Sequence, residues 1–343
     1  MDILELSELS VRIILGTLGL TAFGIIFGLF YKGIDRKLSA RMQGRIGPPL
    51  RQPFRDVAKL FAKENIVPDH AIPWIFNLIP LVGLIAAISI LLYLPIGGFP
   101  ALFSWGGDLI VILYLLLIPS LSLVIGGFSS GSPYAIIGAQ REMATIIAYE
   151  FPLAIIIITI AWKFLQKGAT NVFSLATITA TPVWNQVTGP LGIIGFAILL
   201  LVLLLVTPAE LSKIPFDASE AETEIAGGLL VEYSGRNLAM FYLMDGVKTV
   251  VLASLVVTLF FPYNLSPLLH LASYPGMALD ILFYLFKVFL IILFSVTLIR
   301  VAIARLKIDQ IVYTYWIPLT LASLVGLILV MWDSVVMNLF SSA

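Results

Sequence analysis

Apolar runs alternate with short polar segments along the whole of this sequence. Eight runs are long enough to cross a membrane as helices, at residues 11–31, 74–96, 108–128, 143–165, 190–207, 238–261, 278–301 and 315–338. A crossing helix needs about 20 apolar residues, and a helix satisfies its backbone hydrogen bonds within lipid. The pattern therefore predicts an all-α integral membrane protein with about eight transmembrane helices.

Composition supports this class of protein. Of the 343 residues, 60% are hydrophobic and 12% are charged, and a soluble domain carries about twice this charged fraction. Too few polar groups remain to cover a surface that faces water. The net charge of zero argues against nucleic acid as a partner. We find neither an internal repeat nor a cleavable signal segment, so we expect one membrane domain over residues 1–343.

The lysines and arginines predict the orientation of the chain. Eight crossings put both termini on one side of the membrane and the loops 32–73, 129–142, 208–237 and 302–314 on the other. These loops and their borders hold fifteen of the 20 lysines and arginines. Basic residues concentrate in cytoplasmic loops. We therefore expect the four loops to be cytoplasmic and both termini to lie on the non-cytoplasmic side.

The first of these loops contains an amphipathic segment. Apolar residues recur with helical spacing at Phe54, Val57, Ala58 and Phe61. Basic residues recur every four positions on another face, at Arg51, Arg55, Lys59 and Lys63. Four like charges in a row repel one another and need an anionic counterpart. From this loop alone, lipid headgroups are favoured over an acidic protein surface.

The third loop is acidic. It carries Glu210, Asp217, Glu220, Glu222, Glu224 and Glu232. Such crowding raises the pKa of some carboxyl groups, so that protons can be held near neutral pH. Apolar residues such as Phe216, Ile225 and Leu229 lie between the acids, and a solvated loop has no need of them. We therefore expect this loop to be buried or to contact a partner.

Four charged residues lie at least seven residues inside the predicted helices, at Glu150, Asp245, Lys248 and Lys287. A charge at the centre of a crossing helix costs about 2.5–3.5 kcal/mol, and such residues mark proton or ion paths or pair with one another. Asp245 and Lys248 are spaced so that they could neutralise each other on one helix. Glu150 and Lys287 have no partner on their own helices, which favours a functional role.

Redox centres are not expected on this chain. It contains no cysteine, so it cannot hold an iron–sulfur cluster by thiolates. The two histidines, His70 and His270, lie near predicted helix ends and do not suggest a haem site. We expect no metal site and no catalytic residue here, with any redox cofactor on other subunits.

Several motifs point to a known family. The first loop contains Arg45-Ile46-Gly47-Pro48-Pro49, and the acidic loop contains Pro215-Phe216-Asp217 and Val231-Glu232-Tyr233-Ser234-Gly235. In their identity and order these motifs resemble the family of the H subunit of complex I, which includes mitochondrial NADH dehydrogenase subunit 1. Arg141-Glu142-Met143 resembles the branch found in energy-converting membrane-bound hydrogenase and its sulfur-reducing relative, and Lys213 stands where complex I relatives carry an arginine.

The resemblance implies a non-catalytic membrane subunit of a complex I-like respiratory complex. Such a subunit anchors the peripheral redox arm and couples electron transfer to translocation of protons or sodium. It implies a coupling path through Glu150, Glu210, Asp217, Glu220, Glu222, Glu224, Glu232, Asp245, Lys248 and Lys287. It also favours protein contacts at Arg36, Arg41, Arg45, Arg51, Arg55, Lys59, Lys63, Arg141, Arg236 and Arg305.

The expected partners are lipid, antiporter-like membrane subunits and peripheral hydrogenase-like subunits that carry iron–sulfur clusters and, in a hydrogenase, nickel–iron. The expected location is the plasma membrane of a prokaryote. Two alternatives remain open at this point. One is a quinone-binding subunit of a quinone oxidoreductase, and the other is a stand-alone ion transporter.

Overall fold

The computed structural model describes residues 3–267, 269 and 274–341, with side chains given between residues 10 and 333 of these ranges. His270 lies outside the described residues. The helices are α1 (Ile3–Met42), α2 (Gln52–Ala62), α3 (Pro73–Leu91), α4 (Asp108–Ser129), α5 (Pro133–Gln166), α6 (Leu175–Ala180), α7 (Pro190–Glu210), α8 (Glu222–Ile225), α9 (Gly235–Phe260), α10 (Tyr274–Ile292), α11 (Leu298–Ala302), α12 (Ile308–Thr314) and α13 (Thr320–Ser341). Single π-helical turns join α10 to α11 and α12 to α13.

Eight helical stretches in the described part of the chain are long and apolar enough to cross a membrane. They are Ser10–Met42, Pro73–Leu91, Asp108–Ser129, Pro133–Gln166, Pro190–Glu210, Gly235–Phe260, Tyr274–Ala302 and Ile308–Asp333. Each contains or overlaps one of the eight apolar runs in the sequence. The prediction of an all-α integral membrane protein with eight crossings is confirmed.

Two of these helices extend at least ten residues beyond the apolar runs that predicted them. Helix α1 continues through the basic residues to Met42 and ends before Gly44 (φ +74°), where the left-handed backbone favours glycine. Helix α5 begins ten residues early, with Pro133 in its first turn. The last span begins seven residues early, with α12. Hydropathy indicates where the lipid ends and not where a helix ends, so parts of segments 32–73, 129–142 and 302–314 are helical.

Helix α9 is the centre of the bundle. About 94% of its most apolar stretch is buried inside the protein, more than in any other described span. This helix also carries Asn237, Asp245, Lys248, Ser254 and Thr258, all of which are buried or half-buried. Lipid cannot satisfy polar groups at this depth, so a polar helix is stable only where other helices surround it.

The acidic loop, residues 208–237, is called the acidic segment below. It folds back onto the bundle and does not extend into solvent. Its side chains Phe216, Ile225 and Leu229 are at most 4% exposed. Its backbone packs closely on α5 at Gly138, where an added Cβ would lie 2.8 Å from the Leu229 nitrogen and the Ser219 oxygen. These three apolar side chains are therefore buried against the bundle, whereas Glu222 and Glu224 are exposed.

A fully buried ion pair joins α5 to α13. The Lys163 Nζ lies 3.1 Å from the Asp333 Oδ2, and neither side chain is exposed. The Asp333 carboxylate also accepts hydrogen bonds from the Thr188 backbone and hydroxyl and from the Gly192 nitrogen. The carboxylate therefore neutralises a lysine and satisfies free N–H groups at the start of α7.

Candidate functional site

A charged cavity of about 370 Å³ lies where α1, α9 and the acidic segment meet. Eleven of its lining residues are lysine, arginine, aspartate or glutamate, namely Lys32, Asp35, Arg36, Glu210, Lys213, Asp217, Glu220, Glu222, Asp245, Lys248 and Arg300. Six of these are among the predicted coupling residues. Four of the six carboxylates form ion pairs, namely Asp35, Glu210, Asp217 and Asp245.

Asp245 is shared between two lysines. Its Oδ2 lies 2.6 Å from the Lys32 Nζ on α1 and 2.6 Å from the Lys213 Nζ in the acidic segment. Lys32 also donates to the Tyr242 backbone oxygen at 2.8 Å and lies over the Tyr242 ring. The alternative in which Asp245 pairs with Lys248 on its own helix is wrong, because both residues have partners on other elements.

Lys248 instead pairs with Glu210 at the end of α7. The Lys248 Nζ lies 2.8 Å from the Glu210 Oε1 and donates to the Ser120 Oγ at 2.5 Å. The Tyr149 hydroxyl donates to the same Ser120 Oγ at 3.2 Å. Glu210 and Lys248 are 3% and 4% exposed. A buried charge pair is tolerated when further hydrogen bonds complete it, and this chain of groups does so.

Three further ion pairs hold the acidic segment and its surroundings. Arg305 binds both carboxylate oxygens of Asp217, and Arg141 lies 2.5 Å from Glu224 while donating to the Ala218 oxygen at 3.2 Å. On the α1 side of the cavity, Arg300 pairs with Asp35 at 3.0 Å, and Thr297 donates to the same carboxylate. These contacts fix Arg141 and Arg305, two predicted partner-contact residues, within the chain itself.

Three residues of this region were missed by sequence reasoning. Lys32 and Asp35 lie in a segment predicted to be a loop, as does Glu142, which is 1% exposed and accepts a hydrogen bond from the Ser212 Oγ at 3.0 Å. The seven-residue spacing of Glu142 and Tyr149 was the available signal, since it puts both on one helix face. It becomes visible only when α5 is known to start at Pro133.

The structure does not place every predicted coupling residue at the cavity. Glu150 lies near the midpoint of α5, half-buried, with no salt bridge among the described residues and within electrostatic range of Glu210. Lys287 donates to the Phe261 and Tyr263 backbone oxygens, past the far end of α9. At 1.5 Å per residue, Phe261 is about 24 Å along α9 from Asp245. Glu224 and Glu232 do not line the cavity either.

Most of the predicted partner-contact residues are exposed. Arg41, Arg45, Arg51, Arg55, Lys59, Lys63 and Arg236 all reach solvent. Arg36 pairs with Asp56 at 3.1 Å, with both side chains partly exposed. On α2, Val57 is buried, but Phe54 and Phe61 are 36% and 52% exposed. Arg51, Arg55, Lys59 and Lys63 form no ion pair with any side chain that the structure describes. A basic face beside exposed phenylalanines suits either lipid or a protein partner.

Burial raises the pKa of Glu220 to about 7, with Lys213 acting against the rise and Asp245 and Glu142 adding to it. For Lys213, burial alone would lower the pKa, but the charge and hydrogen bond of Asp245 more than offset it and raise the pKa. Lys213 therefore stays charged near neutral pH, whereas Glu220 exchanges its proton there. A proton can enter or leave the cavity at Glu220.

The raised pKa of Glu220 makes the stability of the protein depend on pH. Its ordinary pKa is 4.5 and its folded pKa is about 7, so its contribution is full below the lower value and is lost as the pH rises through the higher one. We expect the wild-type melting temperature to fall as the pH rises from about 4.5 to about 7, and Glu220→Gln to flatten this fall.

The melting measurement uses the whole protein in mild detergent, with Glu222→Gln as the matched control because Glu222 is exposed at the cavity mouth. Lys213, Lys32, Asp245 and Glu142 also face Glu220. Equal pH dependence in the wild type and in Glu220→Gln would show that Glu220 does not titrate in this range.

Among the described residues, no group of three or more histidine, cysteine or carboxylate side chains is arranged to hold a metal ion. The site instead contains proton donors and acceptors in two clusters, Lys32–Asp245–Lys213 and Tyr149–Ser120–Lys248–Glu210. The arrangement can hold protons, and it can shift charge between lysines through a shared carboxylate.

Comparisons with known proteins agree on one family. A model of the NADH dehydrogenase family matches residues 15–331. Component C of hydrogenase-4 from Escherichia coli is 33% identical over 297 residues, covering 86% of this chain and 89% of the relative. The H subunit of NADH-quinone oxidoreductase from Dehalococcoides mccartyi is 30% identical over 332 residues, covering 93% and 87%.

A solved structure is also similar. A chain in the membrane-bound sulfane sulfur reductase, an archaeal respiratory membrane complex, superposes with a TM-score of 0.78 at 30% identity. The match covers 93% of this chain and 99% of that one. These findings confirm the resemblance drawn from the sequence motifs.

Proposed function

This chain belongs to the NADH dehydrogenase family, and from that premise we propose that it couples electron transfer in a docked redox subunit to translocation of protons or sodium. Its relatives are subunits of hydrogenase, quinone oxidoreductase and sulfur reductase complexes, so it is a membrane subunit of a complex I-like complex. The hydrogenase or sulfur-reductase type is favoured by the Arg141-Glu142-Met143 motif and by Lys213.

The observation that carries the proposal is the shared carboxylate of Asp245. Its two lysines belong to different elements, because Lys32 is on α1 and Lys213 is in the acidic segment. A movement of the acidic segment breaks the ion pair between Lys213 and Asp245, and the ion pair between Asp245 and Lys32 remains. Local geometry at the protein surface is thereby converted into a change of charge inside the membrane domain.

A redox reaction supplies that movement. A subunit docked on the acidic segment changes charge as electrons reach it, and the field acts first on Glu220 and Lys213. Protonation of Glu220 weakens its attraction for Lys213, so Lys213 is held by Asp245 alone. The change passes from Asp245 on α9 to Lys248 and Glu210, one helical turn deeper, and then to Glu150 on α5, which faces the remaining membrane subunits.

The orientation follows from the basic residues. The cavity and the exposed basic face lie on the cytoplasmic side of a prokaryotic plasma membrane, with both termini on the opposite side. The basic residues of α1 and α2 contact the peripheral subunits and lipid headgroups together. Peripheral subunits carry the iron–sulfur clusters and, in a hydrogenase, nickel–iron, and antiporter-like subunits continue the ion path.

Gentle detergent extraction tests this function. We expect the chain to purify with iron–sulfur and antiporter-like subunits, and we expect a crosslinker placed at exposed Glu222 to capture a peripheral redox subunit. A nickel-binding partner indicates a hydrogenase, and a partner that reduces quinone supports the quinone alternative. A stable, isolated chain that moves ions when reconstituted alone would contradict the proposal in favour of a stand-alone transporter.

A further inference from the structure

A second large recess lies far from the charged cavity. It is a groove of about 760 Å³ between the first half of α1 and the segment 94–102. Its walls are apolar, with Leu15, Leu94, Ile96 and Leu102 among them, and Arg12 lies at one end. The coupling function uses none of these residues.

The groove has the depth of one membrane leaflet. Arg12 and Lys32 are 20 residues apart on α1, about 30 Å of helix rise, which matches the thickness of the hydrocarbon. Lys32 lies at the charged cavity, so Arg12 lies near the opposite boundary. From Arg12 to Leu20, the last groove residue on α1, the rise is about 12 Å, close to half of the hydrocarbon thickness.

The cation at the end of the groove is available. Arg12 is exposed and forms no ion pair with any residue whose side chain the structure describes. A guanidinium presents several N–H donors in a planar fork that matches the oxygens of a phosphate. A phosphate at this boundary is supplied by the headgroup of a membrane lipid.

The floor of the groove is open at one position. A Cβ added at Gly19 would meet nothing within 4 Å, whereas one added at Gly16 would press on Leu102 at 3.0 Å. Gly16 therefore brings the segment 94–102 close to α1, whereas the space beside Gly19 is open. We call this open space the channel.

We propose that this groove binds one membrane phospholipid, with its phosphate on Arg12 and a hydrocarbon chain along Gly19 towards Leu20. Charge and depth together favour a lipid over a partner helix, since the recess ends in a single phosphate-binding cation at the membrane boundary.

The test is native mass spectrometry of the full chain with the subunits that purify with it. The sample is stripped of lipid and then offered phosphatidylethanolamine or, as a probe without phosphate, diacylglycerol of the same chain length. We expect the phospholipid to be retained and the diacylglycerol to be lost. Arg12→Gln should weaken retention of the phospholipid about fivefold, the effect of one basic residue near a headgroup.

A variant that fills the channel tests the contact with the hydrocarbon chain independently of the contact with the headgroup. Gly19→Leu places its Cβ in open space, and we expect the added side chain to weaken phospholipid retention roughly tenfold. Two variants serve as matched controls. Leu18→Phe adds bulk on the lipid-facing side of the same helix, and Lys167→Gln removes an exposed cation elsewhere on the same predicted side. Neither control should change retention.

A photoactivatable phosphatidylethanolamine provides an independent readout. We expect it to label residues 11–20 and 94–102 in the wild type, with the label lost in Gly19→Leu. Equal retention of both lipids, or unchanged retention in Gly19→Leu, would overturn the proposal. So would a photocrosslinker at position 19 that captures a polypeptide instead of lipid, because the groove would then be a subunit interface.

Discussion

Replacing Asp245 with asparagine is expected to reduce ion translocation by the assembled complex to background while electron transfer continues. Asparagine has nearly the shape of aspartate but carries no charge. Lys32 and Lys213, each 2.6 Å from the carboxylate in the wild type, are then two cations without the anion they share. Without the shared carboxylate, a movement of Lys213 no longer changes the electrostatic environment of Lys32 on α1. The measurement compares ion uptake into sealed vesicles with the rate of electron transfer.

Two further variants make this prediction decisive. Asp56→Asn removes another carboxylate that pairs with an α1 cation, Arg36, but that pair is partly exposed and Asp56 lies outside the cavity lining, so it should leave translocation unchanged. If Asp245→Asn fails to assemble, the double variant Asp245→Asn/Lys213→Gln removes one of the unpaired charges and should restore assembly without restoring translocation. Normal ion uptake in either Asp245 variant would contradict the mechanism.

Replacing Lys163 with methionine is expected to destabilise the protein by about 3–5 kcal/mol, the cost of leaving one charge of a buried pair uncompensated. Both side chains of the pair are fully buried, so water cannot replace the lost partner. Methionine fills much of the space of lysine, and the loss therefore reports charge more than packing. The free energy of unfolding is measured by denaturing-detergent titration followed by circular dichroism.

A double-mutant cycle isolates the pair. Asp333→Asn keeps one of the two oxygens that accept the Thr188 and Gly192 hydrogen bonds but removes the charge that Lys163 needs. The double variant Lys163→Met/Asp333→Asn should cost less than the sum of the single changes, because it leaves no unpaired charge. Exposed Lys167, one helical turn away, is the control, and Lys167→Gln should change stability by no more than about 0.5 kcal/mol. Additive costs would mean that the pair contributes no coupling energy.

The sequence predicted the spans well for a physical reason. Lipid requires about 20 apolar residues in each crossing, and that requirement is written directly in the hydropathy pattern. The requirement for apolar residues does not restrict where a helix ends in water. The extensions of α1 and α5 were therefore not predicted. Lys32 and Glu142 lie on those extensions.

The sequence could not predict which charged residues form ion pairs with one another. Asp245 and Lys248 are close in the chain, yet their partners are Lys32 and Lys213 in one case and Glu210 in the other. Which residues meet is decided by how helices pack across the bundle. The crowded acids did suggest a raised pKa, but the largest cause at Glu220 is burial, which depends on the folding of the segment around it.

The surroundings of Glu150 are where sequence and structure agree most closely. Glu150 was chosen as an acid in a crossing helix without a partner on that helix, and among the described residues it still forms no salt bridge. It is half-buried beside exposed Ile147 and Phe151, on a surface that can face another membrane subunit. Its role remains a prediction.

The most direct test of the account is the number of ions moved per electron by the intact complex in sealed vesicles, measured for the wild type and for Glu150→Gln. The account predicts that the variant assembles and transfers electrons while its ion-to-electron ratio falls to the background level. An unchanged ratio in Glu150→Gln would contradict the claim that this chain passes the coupling signal through its buried acids.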